Sequence, residues 1–185
     1  MLVRTTPSGH RIETLDATAY RAAIPGLAAL LVDAVAGGAS VNFLAGLAAP
    51  EAAAWWEARG GAVADGEVTP FVAREPGGGR IVGITLLLRA GQPNGPHRAE
   101  IGKVLVHREA RRLGLARALM TAAEEVAWAD GRWLLHLDTQ TGSDAEAMYR
   151  ALGWQELGVM PWHSLSTDGV PTAATYFWKD LRAGR

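Results

Sequence analysis

Residues 104 to 119 read V-L-V-H-R-E-A-R-R-L-G-L-A-R-A-L: three apolar residues, a polar turn with paired arginines, Gly114, then a helical pattern. That order delivers the end of a strand to a phosphate-sized anion at the start of a helix. Val104, Leu105 and Val106 suit a buried strand. Gly114 and the small Ala116 let a ligand approach the backbone closely. The first turn of a helix leaves N–H groups without intrahelical partners, and its dipole favours negative charge there. Arg111, Arg112 and Arg117 add positive charge around the same spot. Read alone, the segment is equally an ordinary helix entrance with solvated arginines. Two carboxylates stand near it in the pattern. Asp138 ends L-L-H-L-D on the strand face shared by Leu134 and His136, and Glu100 lies at the start of the strand that reaches Val106.

The elements that must position these groups form a strand over 99–106, a helix over about 112–130 stopped by Gly131, and a strand over 133–138. Such a strand–helix–strand unit requires a parallel pair with a right-handed crossover. Ligands in such sheets bind beyond the carboxyl ends of the parallel strands. Those ends are Val106 and Asp138, so the anion site and an acidic side chain fall in one region. Upstream, the pattern predicts a strand over 11–15 and a helix over 17–36, capped by Thr14 or Asp16 and bent or divided at Pro25. A second helix runs from Pro50 to about 64. A hairpin pairs 68–75 with 80–89 around P-G-G-G. Downstream come a short helix over 144–152 ended by Gly153 and closing strands over 154–160 and 172–179. The hairpins are antiparallel, so the sheet is mixed, in an α/β or α+β fold. Of the adjacent Trp55 and Trp56, about 100° apart on a helix, one packs in the core and the other is free to wall a pocket.

Composition narrows the class. A chain of 185 residues fits one domain over 1–185 with a real core. The hydrophobic share is 49%, the charged share 20% and the net charge −1, which gives no general affinity for nucleic acid or an anionic membrane. No cysteine is present, excluding thiolate nucleophiles and thiolate metal sites, and the five histidines show no metal-ligand pair on one helix face. The N-terminus lacks a signal-peptide pattern, and the apolar stretch 22–36 is broken by Pro25, Gly26 and Asp33 and is too short to span a bilayer. The expectation is a cytoplasmic, metal-free protein.

R-R-L-G-L-A at 111 to 116 resembles the R/Q-x-x-G-x-G/A loop of the GNAT (Gcn5-related N-acetyltransferase) superfamily, and A-x-x-x-Y-x-x-L-G-W from Ala145 to Trp154 resembles a later motif of that family. The similarity extends to the tabtoxin-resistance type of acetyltransferase through G-G-A-S-V-N-F (37 to 43), P-N-G (93 to 95), R-A-E (98 to 100), L-L-H-L-D-T (134 to 139) and P-T-A-A-T-Y-F (171 to 177). The resemblance implies a mostly antiparallel sheet, with helices on both faces and a central parallel pair splayed to admit acetyl-CoA. It places the pyrophosphate on the amides of residues 112 to 117, which include Leu113 and Leu115, and the pantetheine along Val104 to Val106. Arg112 and Ala116 stand where many members have glycine. The asparagine often found near Gly142 is absent, with Ser143 the substitute.

The implied reaction is direct acetyl transfer to a small-molecule amine, such as a β-lactam-type toxin or an amino acid derivative, by a monomer or homodimer. An alkylammonium of pKa near ~10 is neutral in about one molecule in a thousand at pH 7, so a general base is valuable. The resemblance puts Glu100 and Asp138 near the acceptor as candidate bases, although neither role follows from spacing; their ordinary alternatives are a salt bridge and a strand-end cap. It makes Tyr149 the general acid to the leaving thiolate, and it gives an amide of the strand at Leu105 or a neighbour the thioester oxygen. Asn42, Phe43, Trp162 and His163 fall in loops toward the acceptor. A competing class is an acyl-CoA-binding sensor without turnover. A nucleotide-binding domain lacks its marks here: there is no Gly-Lys-Ser/Thr ending and no three-glycine spacing.

Overall fold

Asp16 is extended, and its carboxylate accepts from the amides of Thr18 and Ala19 (3.0 and 2.8 Å), which starts helix α1 (Ala17–Ala36). The alternative cap, Thr14, is engaged elsewhere, its hydroxyl accepting from the Leu2 amide at 3.0 Å. Pro25 does not divide α1. The unbroken helix has 20 residues, enough by length and composition to cross a bilayer, where the sequence pattern stopped at a shorter stretch. Half of its apolar window is buried inside the protein. Leu27, Leu30 and Leu31 are fully enclosed, and each contributes about 1.5–3 kcal/mol relative to exposure.

The single helix expected over 50–64 is two, α2 (Ala49–Glu57) and α3 (Gly60–Ala64). The break has a local cause: the Arg59 guanidinium takes the Trp55 carbonyl (2.8 Å), while the Arg59 amide tightens onto that of Trp56 (3.0 Å). The Tyr20 hydroxyl also donates to the Trp56 carbonyl, 2.8 Å, and ties α2 to α1.

The computed structural model describes residues 2–184, so Met1 and Arg185, the ends of the expected domain, lie outside it. Eight strands form one sheet: β1 (Val3–Thr5), β2 (Arg11–Thr14), β3 (Val68–Arg74), β4 (Ile81–Arg89), β5 (Arg98–Val106), β6 (Leu134–Gln140), β7 (Gln155–Leu165) and β8 (Pro171–Asp180), in the order β1-β2-β3-β4-β5-β6-β8-β7. Among the described residues, only β5 and β6 are parallel. The short β1 was not expected. Helices α4 (Leu115–Ala129) and α5 (Asp144–Ala151) complete the described helical elements relevant to the site.

Two cores sandwich the sheet. Phe71 and Ala73 of β3 point to the core shared with Leu119 and Ala123 of α4; Val68 and Val72 point to the core built on α1 and α2. A strand buried on both faces reads as a continuous apolar run. Gly83 packs under α4 with no room to spare: a Cβ there would stand 3.1 Å from Leu119 Cδ1, 3.2 Å from Ala73 Cβ and 3.3 Å from the Leu105 carbonyl. Because side chain and backbone both crowd that point, Gly83→Ala is expected to destabilise by about 1–3 kcal/mol. A urea midpoint lowered at unchanged slope checks this, and an unchanged midpoint contradicts it.

Candidate active site

The β5–β6 ladder holds only three pairs, Arg98↔Leu134, Ala99↔Leu135 and Glu100↔His136. Beyond them the strands part. On β5 the cause is a bulge: Leu105 faces Ile84 and Gly102 faces Leu86, so Lys103 and Val104 both stand opposite Thr85. Lys103 is left-handed at φ 52°. The extra residue inverts the alternation, sending Ala99 and Ile101 to the α4 core but Leu105 to the α1 core. On its other edge β6 stays paired with β8 along its whole length, Asp138 opposite Tyr176.

The gap opens into a cleft of about 610 Å³ bordered by Val104–Val106, residues 138–140, Ala116 and the loop 37–42. The His107 amide donates to the Val82 carbonyl of β4, 2.8 Å. By the alternation of an antiparallel ladder, Leu105 turns its amide the same way, whereas Val104 and Val106 turn theirs into the gap. Of the three residues expected to meet a pantetheine chain, these two therefore turn their amides into the gap, while the Val106 carbonyl accepts from Arg111 Nε at 3.5 Å.

At one end of the cleft lies the anion loop. Asp33 of α1 steadies it by accepting from the Arg108 amide (3.0 Å) and Nε (2.8 Å). Burial pushes the Asp33 carboxyl up, but these bonds and the charges of His107 and Arg108 outweigh it and leave it below the ordinary value. Helix α4 begins at Leu115, three residues later than the pattern suggested, because Arg112 (φ 63°) and Gly114 (φ 76°) are both left-handed. No side chain caps it. Among the described residues, the amides of residues 112–117 have no protein acceptor. Leu115 is buried and anchors the helix, Leu113 is 45% exposed, and Arg111, Arg112 and Arg117 are exposed, with Arg111 and Ala116 bordering the cleft. Ser143 also borders it, but its hydroxyl already caps α5 by accepting from the Glu146 amide, 3.2 Å.

At the other end, Glu100 and Asp138 face the same side of the sheet and border the cleft, which Tyr149 lines from the opposite, α4 side. Tyr149 is buried, its ring against Trp154 (6.1 Å) and Phe177 (6.0 Å). Burial, then the charge of Asp138, raises its pKa well above the ordinary phenol value. Tyr176 rises through burial and through the charges of Asp138 and Glu100. Asn42 borders the cleft; Phe43 packs edge-on to Trp55 at 5.9 Å instead. Trp162 and His163 lie in strand β7, not in a loop. His163 reaches the cleft and meets the Tyr176 ring at 5.6 Å, but Trp162 is 81% exposed at a bulge and does not border the cleft.

Sequence reasoning missed Lys103 and Arg59. Lys103 Nζ donates to the Val41 carbonyl (2.9 Å) and lies 4.8 Å from the Trp55 ring centroid; the Arg59 guanidinium carbon sits 3.1 Å from that same centroid. Trp56 is fully buried and Trp55 walls the cleft. Burial and the charge of Arg59 pull the Lys103 pKa down to about 8, while Asp138 and Glu100 act in the opposite sense. The only sequence signal was a lysine between apolar residues of a buried strand.

Comparison with known proteins places this geometry. The profile of the acetyltransferase (GNAT) family matches residues 27–154. The fold is shared with the yncA protein of Salmonella typhimurium, solved with its cofactor acetyl-CoA (TM-score 0.72, 20% identity, 94% of this chain and 95% of that one). It is shared with an N-acetyltransferase from Staphylococcus aureus (0.75, 18%, 94% and 99%). A ribosomal-protein-alanine N-acetyltransferase from Brucella melitensis has it too (0.67, 23%, 98% and 100%).

The depressed lysine has a stability consequence. Its folded pKa lies below its unfolded value, so the charged form burdens the folded state at pH 7, and the burden is relieved as pH rises from about 8 toward 10.5. Lys103→Met is therefore expected to raise the urea midpoint at pH 7 and to abolish that rise with pH. A lowered midpoint at pH 7 contradicts the assignment.

Proposed function

The chain belongs to the acetyltransferase (GNAT) family of acyltransferases, and from that premise we propose that it transfers an acetyl group directly to the amine of a small molecule. Enzymes of this family use acetyl-CoA, and one observation carries the proposal: the parted strands turn the Val104 and Val106 amides into a cleft that the anion loop and two carboxylates also border. The residues present fit the cosubstrate. The acceptor-free amides of 112–117 with Arg111, Arg112 and Arg117 suit a pyrophosphate, and Val104 and Val106 suit an amide-bearing chain. When bound, acetyl-CoA supplies an activated acyl carbon and a thiol leaving group.

The protein's own groups then handle protons. Glu100 or Asp138 takes one from the acceptor ammonium, directly or through water, to free its lone pair. Tyr149 stays a neutral phenol, since burial and Asp138 both oppose its ionisation. Full proton transfer from such a phenol to a thiolate of pKa near ~8.5 is uphill. Tyr149 therefore acts first as a hydrogen-bond donor that steadies the leaving sulfur, a narrower role than a free-standing general acid. The chain contains no cysteine, so a cysteine acyl-enzyme is not available, consistent with direct attack. The resemblance to tabtoxin-resistance enzymes supports an acceptor of the β-lactam-toxin or amino-acid kind, and hence detoxification.

Thiol release from acetyl-CoA, followed over a panel of amines, amino acids, peptides and amino-β-lactams, tests the proposal. Turnover is expected; tight CoA binding with no turnover on any acceptor contradicts it and favours a sensor. With an acceptor in hand, Tyr149→Phe should lower kcat about a hundredfold with CoA affinity nearly unchanged, and normal turnover eliminates its role. In the pH–rate profile, the acidic limb should vanish in either Glu100→Gln or Asp138→Asn; profiles unchanged in both refute a carboxylate base.

A further inference from the structure

The charges in the cleft do not cancel one another. Among the described residues, no ion pair engages Lys103, Arg59, Glu100 or Asp138. Lys103 and Arg59 lie against one indole ring, Trp55, at 4.8 and 3.1 Å from its centroid. Their hydrogen-bond partners are neutral carbonyls, Val41 for Lys103 and Trp55 for Arg59. Carbonyls orient cations without neutralising them. Two half-buried cations on one ring repel, and no ion pair relieves them; Asp138 and Glu100 offset the repulsion on Lys103 only through space. An anion shared between them converts it into two attractions. Glu100 and Asp138 act electrostatically on Lys103 without bonding to it, so they remain open to a positive group of their own.

We propose that the acceptor is a zwitterion of amino-acid type, its carboxylate held between Lys103 and Arg59 over Trp55 and its ammonium turned to Glu100 and Asp138. This rests on the amine-acetylation reading above and narrows it. A polyamine is disfavoured, because its second ammonium would face two cations. A neutral amine leaves the cationic pair uncompensated. The geometry also assigns Lys103 two tasks: its backbone turns the bulge that opens the cleft, and its side chain reads the acceptor's charge.

The test compares amino acids, dipeptides and amino-β-lactams with their uncharged carboxamides, in two independent readouts. In turnover, the acid of the preferred pair should exceed its amide in kcat/KM by at least about tenfold. Lys103→Met and Arg59→Met should each raise KM for the acid and erase that preference, while acetyl-CoA affinity holds. In binding, the Lys103 side-chain signal, followed by NMR, should titrate above its free position of about 8 when the acid is present, and not when the amide is. Amides or polyamines serving as well as acids, or a Lys103 titration indifferent to the acid, overturns the inference. The two readings fail separately. A Lys103 response without turnover keeps this binding site and sinks acetyl transfer, whereas equal turnover of acids and amides keeps transfer and sinks this site.

Discussion

Everything in the site depends on β5 and β6 ceasing to hydrogen-bond after Glu100 and His136. A parallel ladder continued to Val106 would fill the gap with its own backbone bonds and leave nothing for a ligand. The bulge opposite Thr85 stops it, and Lys103 holds the left-handed conformation that this requires. Such a conformation is uncommon for a residue with a side chain and costs of order 1–2 kcal/mol. Pairing to β4 resumes on the far side at Leu105, so β5 remains fixed in the sheet while one edge is free. That combination gives unpaired backbone groups on a rigid support.

The same bulge decides which side chains meet. By inverting the alternation it puts Glu100 and Leu105 on the α1 face, where Trp55 and Arg59 approach from α2 and its end. Arg59 reaches the cleft because the helix expected over 50–64 breaks at that residue, and it breaks partly because the guanidinium competes for the Trp55 carbonyl. The price is paid in unbalanced charge. Two cations and two carboxylates share the cleft without an ion pair between them, and burial loosens the proton of Lys103. Outside the cleft, by contrast, several carboxylates are paired, as Asp33 with Arg108 and Glu146 with Arg150. Stability is given up where binding needs it.

Much of this was legible wherever a residue carries its own local chemistry. A cap at Thr14 or Asp16, the stops at Gly131 and Gly153, the parallel pair demanded by the strand–helix–strand unit, and the gathering of Glu100, Asp138 and Tyr149 around one cleft all follow from pattern or resemblance. The rest depends on partners distant in sequence. No local signal marks Lys103 as a bulge, because the bulge exists only against Thr85. Arg112 disguised the true start of α4, since a non-glycine at positive φ looks like a helical residue. Trp162 and His163 read as loop because the bulge in β7 interrupts the alternation a strand should show. The short β1 gained its place only by pairing with β2.

Val104 and Val106 turn unpaired amides toward an acyl-carrying ligand, while the Leu105 amide is bound within the sheet. Amide hydrogen exchange resolved by residue, with and without acetyl-CoA, tests it most directly. Val104 and Val106 are expected to exchange readily in the free protein and slow strongly on binding, together with amides in 112–117, while Leu105 is protected throughout. Protection of Val104 and Val106 already complete without ligand, or unchanged when acetyl-CoA is bound, contradicts it.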